Sequence, residues 1–557
     1  MKYAVALIGT ERNRMRTTLL MLVASLALHT TAAELPPRTA LDDYIDRADD
    51  SHAWQIAATQ EVEGTRIVVV DMVSQHWLTD AEVDRTEWRH WLRLSIPPTV
   101  STDIGFLYIT GGQNTDTVPE VLDPGMIAIA NATGSVVAEL GMVPNQPLVF
   151  DGDGVPRGED DLIAYNWAQS LPGDGSRLAL DAMTKSAVRA MDTVSAVLAT
   201  PAGGEHRVER FVVSGGSKRG WTTWLVGAVD DRVVAIVPIV FDALNSEASM
   251  RHHFAAYGYF SQTVGDYVRH GILPRLGEPA VSKLMRVVDP YQYRHRVTVP
   301  KLILNATGDE YFLPDSSRFY WNGLRGENYL RYVPNSPHSM QGTDVLDTVA
   351  AFHWLLVNDR RPPRFSWTHN DGALRVVASD QPESVLLWQA TNPASRDFRL
   401  AILGPAFTST SVEADEHGIY TARVPAPDRG WRAWFLELTF EVGAPKPLKL
   451  TTEVVVTPDV LPFENKPIHL PTSITVVCSA TDPAKARDAV HGAPKEALAI
   501  DKMTTEILGD RLYVNWTPAG DMRTSALAIG EFLEAEGCGN GYFQLESGEG
   551  MTLPPAR

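Results

Sequence analysis

The sequence predicts an α/β fold, in which helices cover both faces of a mostly parallel, doubly wound sheet. Between residues 60 and 355, strand-like and helix-like segments alternate along the chain, as they do in folds of this class. Two of the strand-like segments, IGFLYITGG at 104–112 and GMIAIAN at 125–131, are continuous apolar runs, and VVAIVPIV at 233–240 is a further predicted strand. Such runs are typical of central strands that are buried on both faces.

The other elements of this region follow in a regular order. TRIVVVDMVSQHW and EWRHWLRLSI alternate like antiparallel strands with one covered face. The later pattern predicts helix 183–199, strand 209–214, helix 221–229, strand 301–307, strand 328–334 and helix 347–358. The chain between 240 and 301 is too long for a simple crossover, so we expect a helical cap at about 242–299.

Two smaller domains are expected after the α/β domain, which we assign to residues 34–362. The proline-rich stretch RRPPRFSW indicates the boundary, and short alternating segments over 363–463 favour a small β-sandwich. Residues 464–557 mix helical and strand patterns, which favours a small α+β domain. This domain contains both cysteines of the chain, Cys478 and Cys538, and the sequence leaves open whether they pair.

Residues 1–33 have the pattern of a secretory signal peptide. Arg12, Arg14 and Arg16 form a basic region before the apolar segment TLLMLVASLAL, and small residues ending at Ala33 follow it. The apolar segment is shorter than the about 20 residues that a membrane-spanning helix needs. We therefore expect an exported protein, periplasmic or secreted, that does not insert into a membrane once the signal is removed.

The overall charge argues against two classes of partner. The chain of 557 residues has a formal net charge of −19. Nucleic acids and anionic membranes would be repelled by this charge, so we expect neither as a partner. The oligomeric state stays open.

The segment RFVVSGGSKRGWTTWLVGA carries the strongest functional signal. An apolar strand runs through two glycines to Ser217 and continues directly into a helix. This strand–turn–helix arrangement is how an α/β-hydrolase exposes its nucleophilic serine at the end of the sheet. The motif departs from G-x-S-x-G because Arg219 stands where glycine is expected, and the glycine follows at Gly220.

An acid and a base follow the serine in the order that this fold requires, Ser…Asp…His. Asp309 comes directly after the strand KLILNAT, where a carboxylate can orient an imidazole; Asp315 and then Glu310 are the other candidates. His338 follows the next strand, where a neutral imidazole can take the Ser217 proton and later return it to the leaving group. The sequence therefore predicts a Ser217–His338–Asp309 triad.

An oxyanion hole needs backbone amides directed at the charge that develops on the substrate. The N–H of Lys218, directly after the nucleophile, is one expected donor. The second is expected from the loop after FLYITGG, at Gly112 or Gln113. Arg219 has two possible roles: it supports the elbow through a carboxylate, or it binds an acidic group of the substrate.

Neither a metal nor a cofactor is expected. DGDGVPRGEDD at 151–161 resembles a calcium loop, but Val155 and Leu162 occupy two positions that require ligands. We interpret it as an acidic loop at the rim of the active face, which favours small or cationic substrates. His252 and His253 are adjacent, so they diverge on a helix and do not form a ligand pair.

Several long stretches of the chain resemble the PhoPQ-activated pathogenicity-related protein family. They span about 40 to 360 and include SQHWLTDAEVDRTEWRHWLRLSIP, SGGSKRGWTTWL, DPYQYRHRVTVPKLILNATGDEYFLPDSSRFYWNGL and YLRYVPNSPHSM. The resemblance implies an exported protein with the α/β-hydrolase fold and a link to bacterial virulence and envelope stress. It does not imply a substrate, and it does not extend to residues 468–557.

The elbow, the acid and the base together predict a serine hydrolase that works through an acyl-enzyme intermediate. The expected substrate is a small ester or peptide, cleaved by an esterase or by an exopeptidase-like amidase. The alternative is a secreted binding or signalling protein that uses the hydrolase scaffold without catalysis.

Overall fold

The computed structural model describes residues 38–119, 123–171, 177–468, 474–480, 482–495, 498, 500–508, 511–518, 528–529, 532–533, 535–536 and 538–545. The expected signal peptide at 1–33 lies outside the described residues. Within them, no helix combines the length and the apolar character that crossing a membrane requires.

The α/β domain is built on one large sheet and a short two-stranded ribbon. Its strands are β1 (Ala53–Val62), β2 (Thr65–His76), β3 (Glu87–Ile96), β4 (Ile104–Ile109), β5 (Val137–Leu140), β6 (Leu148–Val149), β7 (Pro156–Arg157), β8 (Arg210–Gly216), β9 (Val233–Ile239), β10 (Lys301–Ala306) and β11 (Asn328–Val333). The large sheet has the order β1-β2-β3-β5-β4-β8-β9-β10-β11, and β6 pairs with β7. The pairings from β1 to β5 are antiparallel, and those from β5 to β11 are parallel.

Helices cover both faces of this sheet. They are α1 (Ala40–Ile45), α2 (Pro124–Thr133), α3 (Glu159–Ser170), α4 (Ala179–Leu198), α5 (Lys218–Val229), α6 (Ser246–Tyr257), α7 (Gly265–Arg269), α8 (Pro279–Val288) and α9 (Val345–Val357). Successive residues of a strand point to opposite faces. In β4, Leu107 packs in the core that contains α4 and α5, and Phe106 packs in the core that contains α2 and α9. The doubly wound α/β-hydrolase fold is thereby confirmed.

The prediction of a strand at 125–131 was wrong, because these residues lie in helix α2. The Asp123 carboxylate caps the helix by accepting a hydrogen bond from the Gly125 N–H at 2.8 Å, and Pro124 occupies the first turn. Gly134 ends the helix in the left-handed conformation, at φ 62°. A buried helix and a buried strand give the same continuous apolar run, so only the Asp-Pro start signal distinguishes them. The buried strand at this point is β5.

The chain between β9 and β10 forms a mostly helical segment. It consists of α6, α7 and α8, joined by short 3₁₀ turns at Gln262–Val264, Leu273–Arg275 and Pro290–Tyr293. Residues 242–299 were expected to form a helical cap at this place in the chain.

Two antiparallel sheets follow the α/β domain. Their strands are β12 (Phe365–Asn370), β13 (Ala373–Ala378), β14 (Ser384–Asn392), β15 (Thr408–Ser411), β16 (Ile419–Arg423), β17 (Trp431–Phe440), β18 (Leu448–Thr451) and β19 (Val455–Thr457), with the short helix α10 (Leu400–Leu403) after β14. One sheet has the order β12-β13-β16, and the other has the order β15-β14-β17-β18 with β19 also paired to β17. Val376 of the first sheet and Leu436 of the second lie in one buried cluster with Phe352 of α9. The sheets therefore share their core with the α/β domain.

The last part of the chain forms a four-stranded antiparallel sheet with a helix. Its elements are β20 (Ile474–Ala480), α11 (Pro483–Gly492), β21 (Ile500–Leu508), β22 (Arg511–Pro518) and β23 (Cys538–Leu545). The strand order is β21-β22-β20-β23. Cys478 lies in β20, and Cys538 lies in the adjacent strand opposite Ala480.

Candidate active site

Ser217 lies at a sharp turn between β8 and α5. Its backbone has φ 58° and ψ −124°, a conformation that L-residues rarely adopt and that the surrounding structure must hold in place. The Ser217 N–H donates a hydrogen bond to the Ile239 carbonyl at 2.8 Å, and the Trp221 N–H donates to the Ser217 carbonyl at 3.0 Å. The serine is thus fixed between the end of β9 and the first turn of α5, as a nucleophile elbow requires.

The glycines around Ser217 explain how the motif functions with Arg219 in place of glycine. A Cβ at Gly215 would lie 2.7 Å from the Arg219 carbonyl oxygen, and a Cβ at Gly220 would lie 2.8 Å from the Ile239 carbonyl oxygen. These are the two positions of the turn at which the backbone approaches another backbone segment most closely. Gly220, three residues after Ser217, therefore allows α5 to pack closely against the end of β9.

Arg219 supports the elbow. Its guanidinium donates two hydrogen bonds to the Glu159 carboxylate, at 2.8 and 2.6 Å, and one to the Val143 carbonyl. The same group lies directly against Gly111, where a Cβ would be 2.5 Å from Nη2. Of its two possible roles, the structure supports pairing with a carboxylate, because the buried guanidinium already has an anionic partner. Binding of an acidic substrate group by Arg219 stays a prediction.

Glu159 connects the elbow to the loop after β4. Besides Arg219, its carboxylate accepts from Lys218 Nζ at 2.7 Å and from the side chain of Gln146. Gln146 Nε2 also donates to the Gly112 carbonyl at 3.2 Å. Burial favours the neutral carboxyl group, but the hydrogen bond from Arg219 and the charges of Lys218 and Arg219 hold the pKa of Glu159 well below its usual range. The sequence does not indicate that Glu159 pairs with the elbow, because this residue precedes the elbow by almost 60 positions.

The other two acidic residues at the start of α3 are also paired with cations. Asp160 lies 3.1 Å from Lys218 Nζ. Asp161 lies 2.8 Å from His270 Nε2 and 3.1 Å from Arg269. The expected preference for cationic substrates stays a prediction; in the structure these carboxylates of the acidic rim already have basic partners.

Asp309 and His338 form a hydrogen-bonded pair beyond the ends of β10 and β11. His338 Nδ1 lies 2.8 Å from Asp309 Oδ2. The other carboxylate oxygen, Oδ1, accepts from the N–H groups of Tyr311 and Phe312, at 2.7 and 3.2 Å. The N–H of His338 donates to Glu310 Oε2 at 2.8 Å, and the ring of Tyr311 lies 4.2 Å from the imidazole. The carboxylate and the ring are both held in place, as in the acid–base pair of a triad.

Asp315, the second candidate for the acid, lies in a different cluster. Its carboxylate is buried and pairs with Arg396 Nη2 at 2.6 Å and with His252 Nε2 at 3.1 Å. Burial favours the neutral form, but the charges of Arg396 and His252 hold the pKa of Asp315 well below its usual range. Asp315 thus connects the helical segment and the two antiparallel sheets formed by β12–β19, the sandwich region, to the α/β domain. Asp309 is the carboxylate in contact with His338.

The structure does not join the serine to the histidine directly. Nε2 of His338 is buried and accepts no hydrogen bond from Ser217 or from any other described residue. Catalytic hydrogen bonds are often long in free enzymes and shorten when substrate binds. The Asp309–His338 pair is therefore assembled in this state, and the Ser217–His338 contact is not.

The expected oxyanion donors lie around the elbow. Lys218 is the first residue of α5, so its N–H has no partner within the helix. Gly112 and Gln113 are exposed and follow β4, which runs parallel to β8 with Ile109 opposite Gly215. The loop after β4 therefore begins beside the turn that carries the serine.

A small cavity of about 60 Å³ adjoins the serine. Ser217, Lys218 and Asp160 line one part of it, and the rest is mainly apolar and aromatic. This apolar part includes Trp167, Trp221, Phe241, Met250, Met285 and Phe312. Met250 and Met285 come from α6 and α8, so the helical segment between β9 and β10 forms part of the wall.

The described residues contain no group of three or more His, Cys, Asp or Glu side chains that could hold a metal ion. His252 contacts Asp315, and Nε2 of His253 accepts a hydrogen bond from the Ser261 N–H at 2.9 Å. These two histidines thus have separate structural partners.

Among solved structures, acetyl xylan esterase 1 from Thermoanaerobacterium sp. is similar to this chain. The identity is 16%, the TM-score is 0.40, and the match covers 58% of this chain and 95% of that one. Acylaminoacyl peptidase from Pyrococcus horikoshii is also similar, with 13% identity, a TM-score of 0.33, and coverage of 56% of this chain and 49% of that one.

The similarity to one curated protein and one family model is much stronger. Autocrine proliferation repressor protein A from Dictyostelium discoideum is 36% identical over 456 residues, which cover 76% of this chain and 92% of that protein. The model of the PhoPQ-activated pathogenicity-related proteins matches residues 41–399, which include the elbow, the acid loop and the histidine loop. The chain therefore belongs to the PhoPQ-activated pathogenicity-related protein family.

Proposed function

We propose that the protein is an exported serine hydrolase that cleaves small ester or amide substrates through an acyl-enzyme intermediate. The observation that carries this proposal is the Asp309–His338 hydrogen bond of 2.8 Å, formed beyond the ends of β10 and β11, the last two strands of the large sheet. The Asp309 carboxylate is itself held by two backbone N–H groups. A histidine with a purely structural role does not need a partner fixed in this way. A general base needs one, because its tautomer and orientation must be set before the reaction.

In the first half of the reaction, Ser217 Oγ attacks the substrate carbonyl carbon while His338 Nε2 takes the hydroxyl proton. Asp309 keeps the proton on Nδ1 and stabilises the imidazolium that forms. The N–H of Lys218, with that of Gly112 or Gln113, would donate to the oxyanion. Collapse of the tetrahedral intermediate breaks the bond to the leaving group, which receives the proton from His338.

In the second half, water attacks the acyl-enzyme with His338 again as the base. The bond between the acyl carbon and Ser217 Oγ breaks, the serine regains its proton, and the carboxylic acid is released. No redox partner or cofactor is needed for either half.

A fluorophosphonate probe tests this proposal, because it phosphonylates only an activated serine. We expect labelling of the wild-type protein and loss of labelling in Ser217→Ala. Ser214→Ala is the matched control: Ser214 is a buried residue of the same strand whose hydroxyl donates to the Val237 carbonyl, so labelling should persist. An unlabelled but folded wild-type protein would instead favour a non-catalytic binding or signalling protein.

Export is the second part of the proposal, and the signal-peptide pattern of residues 1–33 supports it. N-terminal sequencing of the protein from periplasmic and culture fractions tests it directly. We expect a mature chain that begins after Ala33. An unprocessed chain that stays in the cytoplasm would contradict export and leave the proposed chemistry unaffected.

A further inference from the structure

We infer that the substrate carries a short, uncharged, apolar acyl group, which occupies the cavity beside Ser217. This inference rests on the proposed hydrolase function and specifies its substrate. Three properties of the cavity support it: its charge, its size and its position relative to His338.

The cavity contains no unbalanced charge to hold an ionic group. Among the described residues that line it, Asp160 and Lys218 are the charged ones, and their side chains pair at 3.1 Å. Tyr267 also donates its hydroxyl hydrogen to Asp160, at 3.1 Å. A charged acyl chain would lose its hydration here without gaining a counter-ion, whereas an apolar chain would gain from burial.

The cavity is small, and its walls are held firmly. Its volume of about 60 Å³ is small beside the roughly 300–1,000 Å³ of pockets that enclose drug-sized ligands, so it favours a short acyl chain over a long one. Trp221 stacks on Phe241 at 4.6 Å, and its indole N–H donates to the Val288 carbonyl at 2.7 Å. Trp167 packs edge-on against Trp221 at 5.2 Å. A longer chain would have to displace these closely packed rings.

The position of His338 indicates which side of the substrate enters the cavity. The leaving group has to receive its proton from His338 Nε2, so it must lie next to the imidazole. His338 is not among the described residues that line the cavity, whereas Ser217 is. The leaving group therefore lies outside the cavity, and the acyl group lies inside it.

The test measures kcat/KM for p-nitrophenyl acetate, butyrate, hexanoate and octanoate with the wild-type protein. We expect the highest values for acetate or butyrate and a loss of about 10-fold or more by octanoate, because a tight pocket discriminates strongly between chains that differ by methylene groups. Equal or rising values toward octanoate would overturn the inference.

Met285→Ala and Leu284→Ala form a matched pair of variants. Both residues are in α8 and both are 6% exposed, but only Met285 lines the cavity. We expect Met285→Ala to shift the preference toward hexanoate and Leu284→Ala to keep the wild-type preference. The same shift in both variants would overturn the inference, because it would come from loosening of the helix.

Ala243→Val provides the opposite change in case Met285→Ala does not fold. Ala243 lines the cavity, so added methyl groups should lower the rate with butyrate more than the rate with acetate. An equal reduction for both esters would contradict the inference.

Fluorophosphonate labelling distinguishes failure of the proposed hydrolase function from failure of the short-chain inference. A wild-type protein that is labelled at Ser217 but prefers long acyl chains retains the proposed function and refutes the short-chain inference. A protein that is neither labelled nor active with any ester refutes both.

Discussion

At the scale of single residues, the departure from the usual nucleophile motif has a structural explanation. Arg219 replaces the expected glycine and reaches from the first turn of α5 to Glu159 and to the backbone at Gly111. Glu159 in turn binds Gln146, which holds the loop after β4. The two segments that would supply the oxyanion donors are therefore joined through one carboxylate.

We predict that Glu159→Gln lowers kcat by about 10-fold to 100-fold, because both segments would lose their common anchor and one donor of the oxyanion hole would be displaced. KM should change much less, since Glu159 is not among the cavity-lining residues that we assign to the acyl group. Steady-state kinetics with an active ester measures both values.

Asp161→Asn is the control for that variant. Asp161 is also in the first turn of α3, but it pairs with Arg269 and His270 and not with the elbow. Its activity should remain close to that of the wild type. Equal losses in both variants would mean that general destabilisation of α3, and not the link to the elbow, controls the rate.

A second residue-scale feature is the buried carboxyl group of Asp242, just after β9. The hydroxyl groups of Tyr320 and Tyr332 donate to its two oxygens, each at 2.6 Å. Burial raises the pKa of Asp242 to about 8, although both tyrosine hydrogen bonds favour the ionised form. The folded protein therefore binds this proton more tightly than the unfolded chain, in which an aspartate has a pKa of about 3.9.

We predict that Asp242 makes the free energy of unfolding decrease as the pH rises from about 4 to about 8, because in this window the unfolded state binds fewer protons than the folded state. The slope from this group is at most ~1.4 kcal/mol per pH unit. Urea unfolding of the wild type and of Asp242→Asn across this range measures it. Asp242→Asn should show a flatter profile, and parallel profiles would contradict the assignment.

At the scale of secondary-structure elements, α2 shows that local signals at helix ends can decide between helix and strand. Its apolar run was interpreted as a strand, but Asp123 and Pro124 form a helix start and Gly134 forms a helix end. The helix packs against α9 on one face of the sheet. Its capping hydrogen bond therefore stabilises an element of the main core.

We predict that Asp123→Ala lowers the free energy of unfolding by about 1 kcal/mol, because the N–H of Gly125 loses its side-chain acceptor. Asp123→Ser should retain most of the stability, since serine also caps helices. Chemical denaturation of both variants tests this. Equal destabilisation by alanine and serine would show that the cap does not stabilise α2.

At the scale of the whole molecule, the sandwich region supports the loops that carry Asp309 and His338. The Leu400 N–H donates to the Gly308 carbonyl at 3.0 Å, next to Asp309. Asn335, close to His338, exchanges two hydrogen bonds with the backbone of Phe407, at 2.8 and 2.9 Å. These contacts come from the segment around α10, so the region after residue 362 contributes to the geometry of the site.

We predict that a chain of residues 34–468 retains fluorophosphonate labelling, whereas a chain of residues 34–362 does not. The shorter chain would lose the contacts at Gly308 and Asn335 and would expose the part of α9 that shares a core with the sheets. The described core residues of the last region, at 486–533, belong to a separate cluster, so its removal should leave the site intact.

Asn335→Gly is the point variant that keeps this prediction testable if the shorter chain does not fold. Glycine tolerates the φ of 53° at this position but lacks the side chain that binds Phe407. We expect a folded protein with a lower kcat, measured with the same ester panel. An unchanged kcat would indicate that the sandwich region is not needed to place His338.

How much of the site could be predicted depended on how local the relevant signals are. The elbow, the acid and the base each follow a strand directly, so their order along the chain could be recognised from short motifs. The sequence left Asp309 and Asp315 as alternatives, because both lie in one loop. Only the folded chain shows that Asp309 contacts His338 and that Asp315 pairs with Arg396, from a segment 81 residues further along.

The sequence alone therefore determined the fold class, the family and the candidates Ser217, Asp309 and His338, since alternation of strands and helices and residues at strand ends are local properties of the chain. The tertiary structure decided which groups Arg219 contacts, the position of Glu159, the shape of the cavity and the contacts made by the segment around α10. These features depend on contacts between residues that are distant in the chain, such as the pair of Glu159 and Arg219. No local pattern encodes such contacts, because packing of whole elements brings the partners together.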